Sequence, residues 1–509
     1  MGESISPGFR HAVATPGGVI HAQWDEAAQV TGSGPLVYFA QFLQASGLWP
    51  EALATCPLRY TSPNAPRVAE VLGTLLLTVL HGGRRYLHAS GIRFDPVIGA
   101  TLGMRRVLSH ESVRRAVARD GADLMQEWLR LRLLEAVRPA LRRPWILDED
   151  VTSRVVYGTQ EGAVVGYNGK KPGHPSLALH TFVVAHLRLV LDVQVAPGNQ
   201  TSGAHGHSRL ISLLTALPAA ERPALVRGDI AYGFEEHMTG LEQLGVPYLF
   251  KVRRSDGVKQ LIAEASARMD WHDAGKGWQA IETSLQLVSW SRARRAVIIR
   301  RPETARPAVV LGRRTLREQP LPGAAKQQTF LAPPPCSDGF EYAVLVTTLD
   351  HPLADIAQLY RDRADAENVN DELKNHWGWG GFTTDDLDRT AIMARLTALT
   401  YTWWTLYCRS LMPHRHTEAI TARPILVHGV GVQTHHRGQR LLRLTGMAHA
   451  ARHAAIHLTH AAKRTTDWLQ TVAQLPPAQR WTRYADALID RIIAAIGSIG
   501  PFSTPIRIG

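Results

Sequence analysis

Residues 144–152 read Pro-Trp-Ile-Leu-Asp-Glu-Asp-Val-Thr, an apolar run that ends in three consecutive acids. The apolar residues predict a buried β-strand. Because side chains alternate along a strand, Asp148 and Asp150 should share one face while Glu149 points to the other. Acidic residues at the end of a buried strand lie where α/β folds place their functional sites. This stretch therefore predicts an α/β domain with an acidic site at one edge of its sheet.

The sequence after this strand alternates between strand-like and helix-like periodicity. Apolar blocks between residues 163 and 232, with a helical stretch among them, predict a mixed sheet packed with helices. From about residue 245 to residue 348 the apolar pattern has a period of two, which predicts an all-β insertion. Helical periodicity returns at residues 352–377 and 387–411. The α/β domain should therefore be interrupted by the insertion and completed after it.

Helical patterns dominate both ends of the chain. The tail from residue 414 is rich in alanine and basic, with 12 Lys and Arg against 4 Asp and Glu. The sequence accordingly predicts five segments: a helical N-terminal region (1–140), the first part of the α/β domain (141–244), the β insertion (245–348), the second part of the α/β domain (349–413) and a helical C-terminal region (414–509).

Composition narrows the class of protein. The 509 residues include 57 Lys and Arg against 44 Asp and Glu, a net charge of +13. This excess favours a polyanionic partner, although a protein that binds membrane surfaces would fit the charge equally well. Three cysteines are too few for a disulfide framework or a zinc site. Since no apolar run approaches the ~18 residues of a membrane span, and the N-terminus lacks a signal peptide, we expect a soluble cytoplasmic protein.

The helix predicted over residues 352–377 carries a polar stripe. At 100° per residue, four side chains fall within about 60° of one another on one face. These are Tyr360, Arg363, Glu367 and Lys374. An apolar face beside the stripe would pack on the sheet. Such a stripe is more often a solvated helix face with ion pairs between successive turns.

A second acid, Asp229, follows Leu225-Val-Arg-Gly and starts a turn. Asp150, Asp229 and Glu367 together offer three carboxylates, enough to hold two Mg²⁺ ions for phosphoryl transfer on a nucleic acid. A single aspartate at a strand end is more often a cap or turn residue. The three acids in combination nevertheless favour a metal-dependent nuclease or transferase.

The spacing of the polar stripe resembles a known signature. Tyr360-x2-Arg363-x3-Glu367-x6-Lys374 is similar to the YREK motif of a large group of bacterial insertion-sequence transposases. These are DDE enzymes with an RNase H-like fold and a β-strand insertion between the second Asp and the Glu. The resemblance covers about residues 145–410.

Two further elements carry the resemblance. The first acid of the family lies in an Asp-x-Thr-like element, matched here by Asp150-Val151-Thr152, and the second is matched by Arg227-Gly-Asp229. The long gap between Asp229 and Glu367 leaves room for the β insertion. Asp148 is the alternative to Asp150 as the first acid.

The resemblance implies the roles of these residues. Asp150, Asp229 and Glu367 would be the catalytic acids and hold Mg²⁺, with Mn²⁺ as a substitute. Contacts to DNA phosphates would come from Tyr360, Arg363 and Lys374. An aromatic residue of the insertion would stack on a flipped base, and Trp290 is the candidate. A tryptophan buried in the core is the alternative interpretation of Trp290.

The resemblance also implies a cut-and-paste DNA transposase that binds its terminal inverted repeats and joins 3′-OH ends to target DNA. Such an enzyme acts on double-stranded DNA as a homodimer in the bacterial cytoplasm, close to the nucleoid. The N-terminal region, assisted by the basic tail, would recognise the ends. Two alternatives remain open: a structure-selective Mg²⁺-dependent nuclease of the same fold, and a catalytically inactive DNA-binding protein derived from a transposase.

Overall fold

The computed structural model describes residues 10–496 apart from residues 24, 26, 61, 118–120, 169–170, 304–338, 383 and 446–448. The chain divides into two compact units, each built from separate stretches of sequence. Of the described residues, the first unit comprises those within 10–143, 152–200 and 368–496, and the second comprises those within 144–151, 201–303 and 339–367.

The described strands are β1 (Arg10–Thr15), β2 (Gly18–Gln23), β3 (Val30–Thr31), β4 (Ile146–Val155), β5 (Val164–Val165), β6 (Pro175–Val184), β7 (Leu189–Pro197), β8 (Leu225–Gly228), β9 (Tyr248–Lys251), β10 (His272–Asp273), β11 (Gln279–Leu285), β12 (Arg294–Pro302), β13 (Phe340–Thr347), β14 (Val430–His436) and β15 (Gln439–Thr445).

The described α-helices are α1 (Leu36–Ser46), α2 (Leu48–Thr55), α3 (Val68–Leu80), α4 (Ile98–Thr101), α5 (His110–Val117), α6 (Ala122–Leu141), α7 (Gly203–Ala216), α8 (Glu235–Gln243), α9 (Asp256–Ser266), α10 (Leu353–Asp362), α11 (Ala364–His376), α12 (Leu387–Leu411), α13 (Ala419–Leu426), α14 (His449–Val472) and α15 (Pro477–Ile496). Short 3₁₀ helices lie at Tyr86–Gly91 and Ala219–Glu221.

A mixed sheet forms the centre of the second unit. Its strand order is β10-β11-β12-β13-β9-β8-β4, in which β4, β8 and β9 run parallel and the other neighbours pair antiparallel. The paired parts of the parallel strands are buried on both faces, although they include the charged residues Asp148 and Arg227. Leu147, Val226 and Leu249 are each fully buried in these three strands. β8 pairs with residues 146–148 of β4, so the end of β8 lies beside the acidic stretch of β4, which continues to Val155 instead of ending at the acids as the sequence predicted.

A long antiparallel hairpin and two helices organise the first unit. Strands β6 and β7 pair from Leu177–Pro197 to Val184–Leu189, and α6 and α12 pack against β7 and each other. Nearly every side chain of α12 from Thr390 to Ser410 is buried. Within this core the guanidinium of Arg395 lies 3.1 Å from Asp192 Oδ1 and donates to Gln126 Oε1 at 2.6 Å.

The predicted fold class is confirmed, since the protein is mixed α/β with a large mixed sheet. Some segments that the sequence periodicity predicted to be only strand or only helix contain both kinds of element in the structure. Residues 245–348 were predicted to be all β, but α9 lies within them, and residues 304–338 are outside the described part. The predicted helical end regions also contain strands β1 to β3 and the hairpin β14–β15. No helix among the described residues combines the length and apolar character that crossing a membrane requires.

Candidate active site

Asp150 lies on β4, and Asp229 directly follows the neighbouring parallel strand β8. Asp148 on β4 is in register with Arg227 on β8, and this pair ends the ladder between the two strands. Asp150 and Asp229 each stand two residues after a member of this pair, so both acids lie just beyond the point where the two parallel strands stop pairing. Both residues are half-buried. The structure thus places the first two predicted acids at the same end of this ladder.

Asp148, the alternative first acid, is fully buried and already paired. Its Oδ1 accepts a hydrogen bond from Arg227 Nε at 2.6 Å and its Oδ2 accepts one from Arg227 Nη2 at 2.7 Å. Burial raises the pKa of Asp148, and the adjacent guanidinium acts in the opposite direction. Since both of its oxygens bind Arg227, Asp148 is less suited to hold a metal ion, which favours Asp150.

Glu149 points to the opposite side of β4, as strand alternation predicts. Its Oε1 lies 2.8 Å from Nε2 of His237 on α8, and His237 Nδ1 lies 3.0 Å from Nδ1 of His207 on α7. Glu149 and His237 are completely buried. This chain of side chains joins β4 to two helices, so the acidic stretch of β4 is held from both of its faces.

The turn after Asp229 is shaped by its own side chain. Asp229 Oδ1 accepts a hydrogen bond from the amide of Ala231 at 2.8 Å, and the chain then buries Tyr232 against Gly228. A Cβ atom at Gly228 would lie 2.7 Å from Tyr232 Cδ2, so only glycine fits there. Burial, together with the charges of Glu149, Asp150 and Asp229, raises the pKa of Tyr232 well above its usual value.

Glu367 is presented to solvent beside Arg363. The Arg363 Nη2 atom lies 2.5 Å from Glu367 Oε1; the arginine side chain is 9% exposed and the glutamate side chain is 60% exposed. Helix α10 ends at Asp362 and α11 begins at Ala364, so the predicted continuous helix is interrupted at Arg363. The amide of Arg363 donates to the carbonyl of Tyr360 rather than one residue further back.

Arg363 contacts Glu367, and the charges of all three candidate acids act on its pKa. Burial alone would lower its pKa, but the nearby Tyr360 hydroxyl, Glu367, Asp150 and Asp229 together raise it. Tyr360 is half-buried beside the same groups, and burial raises its pKa. The predicted acids and two residues of the polar stripe therefore occupy one neighbourhood, with the guanidinium of Arg363 as its positive charge.

The donor chemistry of this neighbourhood fits Mg²⁺, since three carboxylates supply hard oxygen ligands. Within the described part of the chain, however, no three His, Cys, Asp or Glu side chains are grouped closely enough to hold a metal ion. The three carboxylates are of the ligand type that Mg²⁺ prefers, although their side chains do not converge on a common point in this structure.

The two other predicted DNA contacts have different environments. Lys374 lies on α11, about two turns beyond Glu367, and is half-buried. Trp290 is 4% exposed, and the guanidinium of Arg294 lies 5.5 Å from its ring centroid. Because its ring is buried and covered by a cation, the structure favours the core interpretation of Trp290 over stacking on a flipped base.

Arg294, the neighbour of Trp290, connects β12 to α8 through two glutamates. It lies 2.5 Å from Glu235 Oε2 and 2.9 Å from Glu242 Oε1. The hydrogen bond from Arg294 is the largest of the effects that lower the pKa of Glu235 to about 2, and Ser291 contributes in the same direction. Sequence reasoning missed this cluster because Arg294 is more than fifty residues from both glutamates.

We expect this cluster to make stability depend on pH. A carboxyl group whose pKa is lower in the folded state stabilises the fold fully above its unfolded pKa of about 4.3, and this contribution is lost as pH falls towards about 2. Glu235→Gln should lower the unfolding temperature by about 2 °C near neutral pH. Thermal unfolding of both proteins from about pH 7 to about pH 3 checks this, because the difference should shrink below about pH 4. A difference that stays constant with pH would contradict it.

Comparison with known proteins identifies the family. Residues 142–403 match the family described as the transposase DDE domain. The chain belongs to the transposase DDE domain family. Among solved structures, the fold is similar to a cryo-EM structure of the piggyBac transposase synaptic complex with hairpin DNA. The TM-score is 0.37 and the sequence identity is 10%, over 89% of this chain and 85% of that chain. A search of curated proteins gives no match.

The transposase DDE domain encloses the whole candidate site. Asp150, Asp229 and Glu367 all lie between residues 142 and 403. Arg227 and Asp148 lie there too, and sequence reasoning assigned no contact to this pair. The available signal was local: Arg227 stands two residues before Asp229, and Asp148 stands two residues before Asp150. The structure shows that Asp148 and Arg227, the residues two positions before each acid, are opposite each other on the paired strands β4 and β8.

Proposed function

We propose that the chain is a cut-and-paste DNA transposase of a bacterial insertion sequence. It binds the terminal inverted repeats of its element, cleaves the DNA at each end and joins the freed 3′-OH ends to target DNA. One observation carries the proposal: Asp150 on β4 and Asp229 directly after the parallel strand β8 are both half-buried and lie within a transposase DDE domain together with Glu367, which pairs with Arg363.

The acids and the polar stripe have complementary roles in this proposal. Asp150, Asp229 and Glu367 would hold Mg²⁺, or Mn²⁺ in its place, and the bound metal would activate the attacking oxygen and stabilise the leaving oxygen. Arg363 and Lys374 donate charge-assisted hydrogen bonds to phosphate oxygens, which position the scissile strand. The Tyr360 hydroxyl remains protonated because its pKa is raised, so it can donate to the same backbone.

The terminal regions supply recognition of the DNA ends. Residues 1–140 contact the inverted repeats, and the basic region 414–509 assists by binding the phosphate backbone. Exposed arginines on the hairpin β14–β15 support the second assignment; they are Arg437, Arg440 and Arg443. The protein acts as a homodimer that holds two ends together, in the bacterial cytoplasm and close to the nucleoid.

The test is cleavage of plasmid DNA that carries the sequences flanking the gene, with Mg²⁺ and wild-type protein. The proposed function requires breaks at the element boundary and, with added target DNA, covalent joining of the new 3′-OH ends. A plasmid with scrambled boundary sequences is the control and should remain uncut. Cutting without joining would indicate a nuclease, and binding without cutting would indicate an inactive relative.

A further inference from the structure

Arg227 contacts three elements with one side chain. Its Nε and Nη2 atoms donate to the two carboxylate oxygens of Asp148 on β4, at 2.6 and 2.7 Å. Its Nη1 atom donates to the carbonyl oxygen of Leu359 on α10 at 2.6 Å. Arg227 itself lies on β8 and is 2% exposed. A planar guanidinium with several donors in fixed directions is the side chain suited to such a junction.

Each of the three elements carries a candidate active-site residue. β4 continues from Asp148 to Asp150, and β8 is followed directly by Asp229. Helix α10 leads from Leu359 through the interruption at Arg363 to Glu367 on α11. Arg227 therefore connects the three stretches of chain that carry the three acids.

The contact with Leu359 also explains how the helix interruption is stabilised. In a continuous α-helix the amide of Arg363 would donate to the carbonyl of Leu359, but here it donates to Tyr360 instead. The last carbonyls of a helix need other partners, and Arg227 supplies one for Leu359. Arg227 thus fixes the place where the chain turns from α10 into α11, four residues before Glu367.

We propose that Arg227 is a positioning residue of the active site, which sets the placement of Asp150, Asp229 and Glu367 relative to one another through Asp148 and the carbonyl of Leu359. This inference rests on the proposed function, because it concerns the acids assigned there. If the buried ion pair between Arg227 and Asp148 contributed only to folding, removing it would lower the stability of the fold without a specific effect on the three acids.

The experiment compares Arg227→Lys with Arg395→Lys. Both variants keep the charge and remove a buried guanidinium that binds an aspartate, but Arg395 pairs with Asp192 in the other unit. Metal binding is followed by the rise in unfolding temperature with Mg²⁺ or Mn²⁺, and DNA cleavage is measured over the same range of metal concentration. Without metal, both variants should unfold at similarly reduced temperatures.

For Arg227→Lys we expect the metal concentration at half-maximal thermal shift to rise about tenfold, with cleavage reduced to a similar extent. Arg395→Lys should keep the wild-type metal dependence. Asp148→Asn is the second variant, used if Arg227→Lys does not fold, and should change the metal dependence in the same direction. Equal metal dependence in all of these proteins would overturn the proposal. If wild-type protein binds metal but never cuts DNA, the proposed function fails while the metal titration still tests Arg227.

Discussion

Glu367→Gln is expected to abolish metal-dependent DNA cleavage while leaving the fold intact. The glutamate side chain is 60% exposed and its described partner is Arg363, so the amide fits without burying a new polar group. Glutamine is a poor ligand for Mg²⁺ and lacks the negative charge that the other two acids share. Losing about 4 kcal/mol of transition-state stabilisation would reduce the cleavage rate by about 10³-fold. Single-turnover cleavage of end-containing DNA measures this rate.

The same helix offers a matched control. Asp371 lies on α11 one turn after Glu367, is exposed, and accepts a hydrogen bond from Asn375 at 2.8 Å. Asp371→Asn makes the same change of charge on the same helix and should leave cleavage within about twofold of wild type. Equal cleavage by Glu367→Gln and wild type would remove Glu367 from the active site. Equal loss in both variants would indicate a general effect of helix charge.

The sequence was sufficient for the parts of the site that depend on local periodicity. Alternation along residues 146–150 correctly separated Glu149 from Asp148 and Asp150, because the two faces of a strand follow from geometry alone. The apolar blocks also predicted the mixed α/β class and the return of helix after the insertion. These patterns are properties of single elements, so they are visible without knowing which elements are neighbours.

What the sequence did not predict depends on pairings between distant segments. Arg227 and Asp148 are 79 residues apart, and only the parallel register of β4 and β8 makes them partners. No proline or glycine at Arg363 predicts the helix interruption there. It is accompanied by a hydrogen bond from Arg227, which is distant in sequence, to the carbonyl of Leu359. Trp290 is buried with the guanidinium of Arg294 over its ring, and Arg294 is held there by Glu235 and Glu242, which are distant from it in sequence.

Arg363→Gln is expected to change metal binding and DNA cleavage in opposite directions. In the metal-free protein Arg363 supplies positive charge to Asp150, Asp229 and Glu367, so a metal ion must compete with it. Without this charge, the rise in unfolding temperature should begin at a lower Mg²⁺ concentration than in wild type. Cleavage should nevertheless fall about a hundredfold, because a charge-assisted hydrogen bond to phosphate is lost.

Two further variants separate the effect of the positive charge of Arg363 from the effect of its position. Arg363→Lys keeps the positive charge, so its metal titration should remain close to that of wild type, whereas its cleavage should be intermediate because lysine cannot bind phosphate through two donors. Arg361→Gln removes a positive charge two residues earlier, from a side chain that binds Gln358 and the carbonyl of Ala274. It should leave the metal titration unchanged. If Arg363→Gln and Arg361→Gln shift the titration equally, the effect is one of net charge. If Arg363→Gln binds metal at the same concentration as wild type, Arg363 does not compete with the metal. Its role would then be limited to holding the DNA.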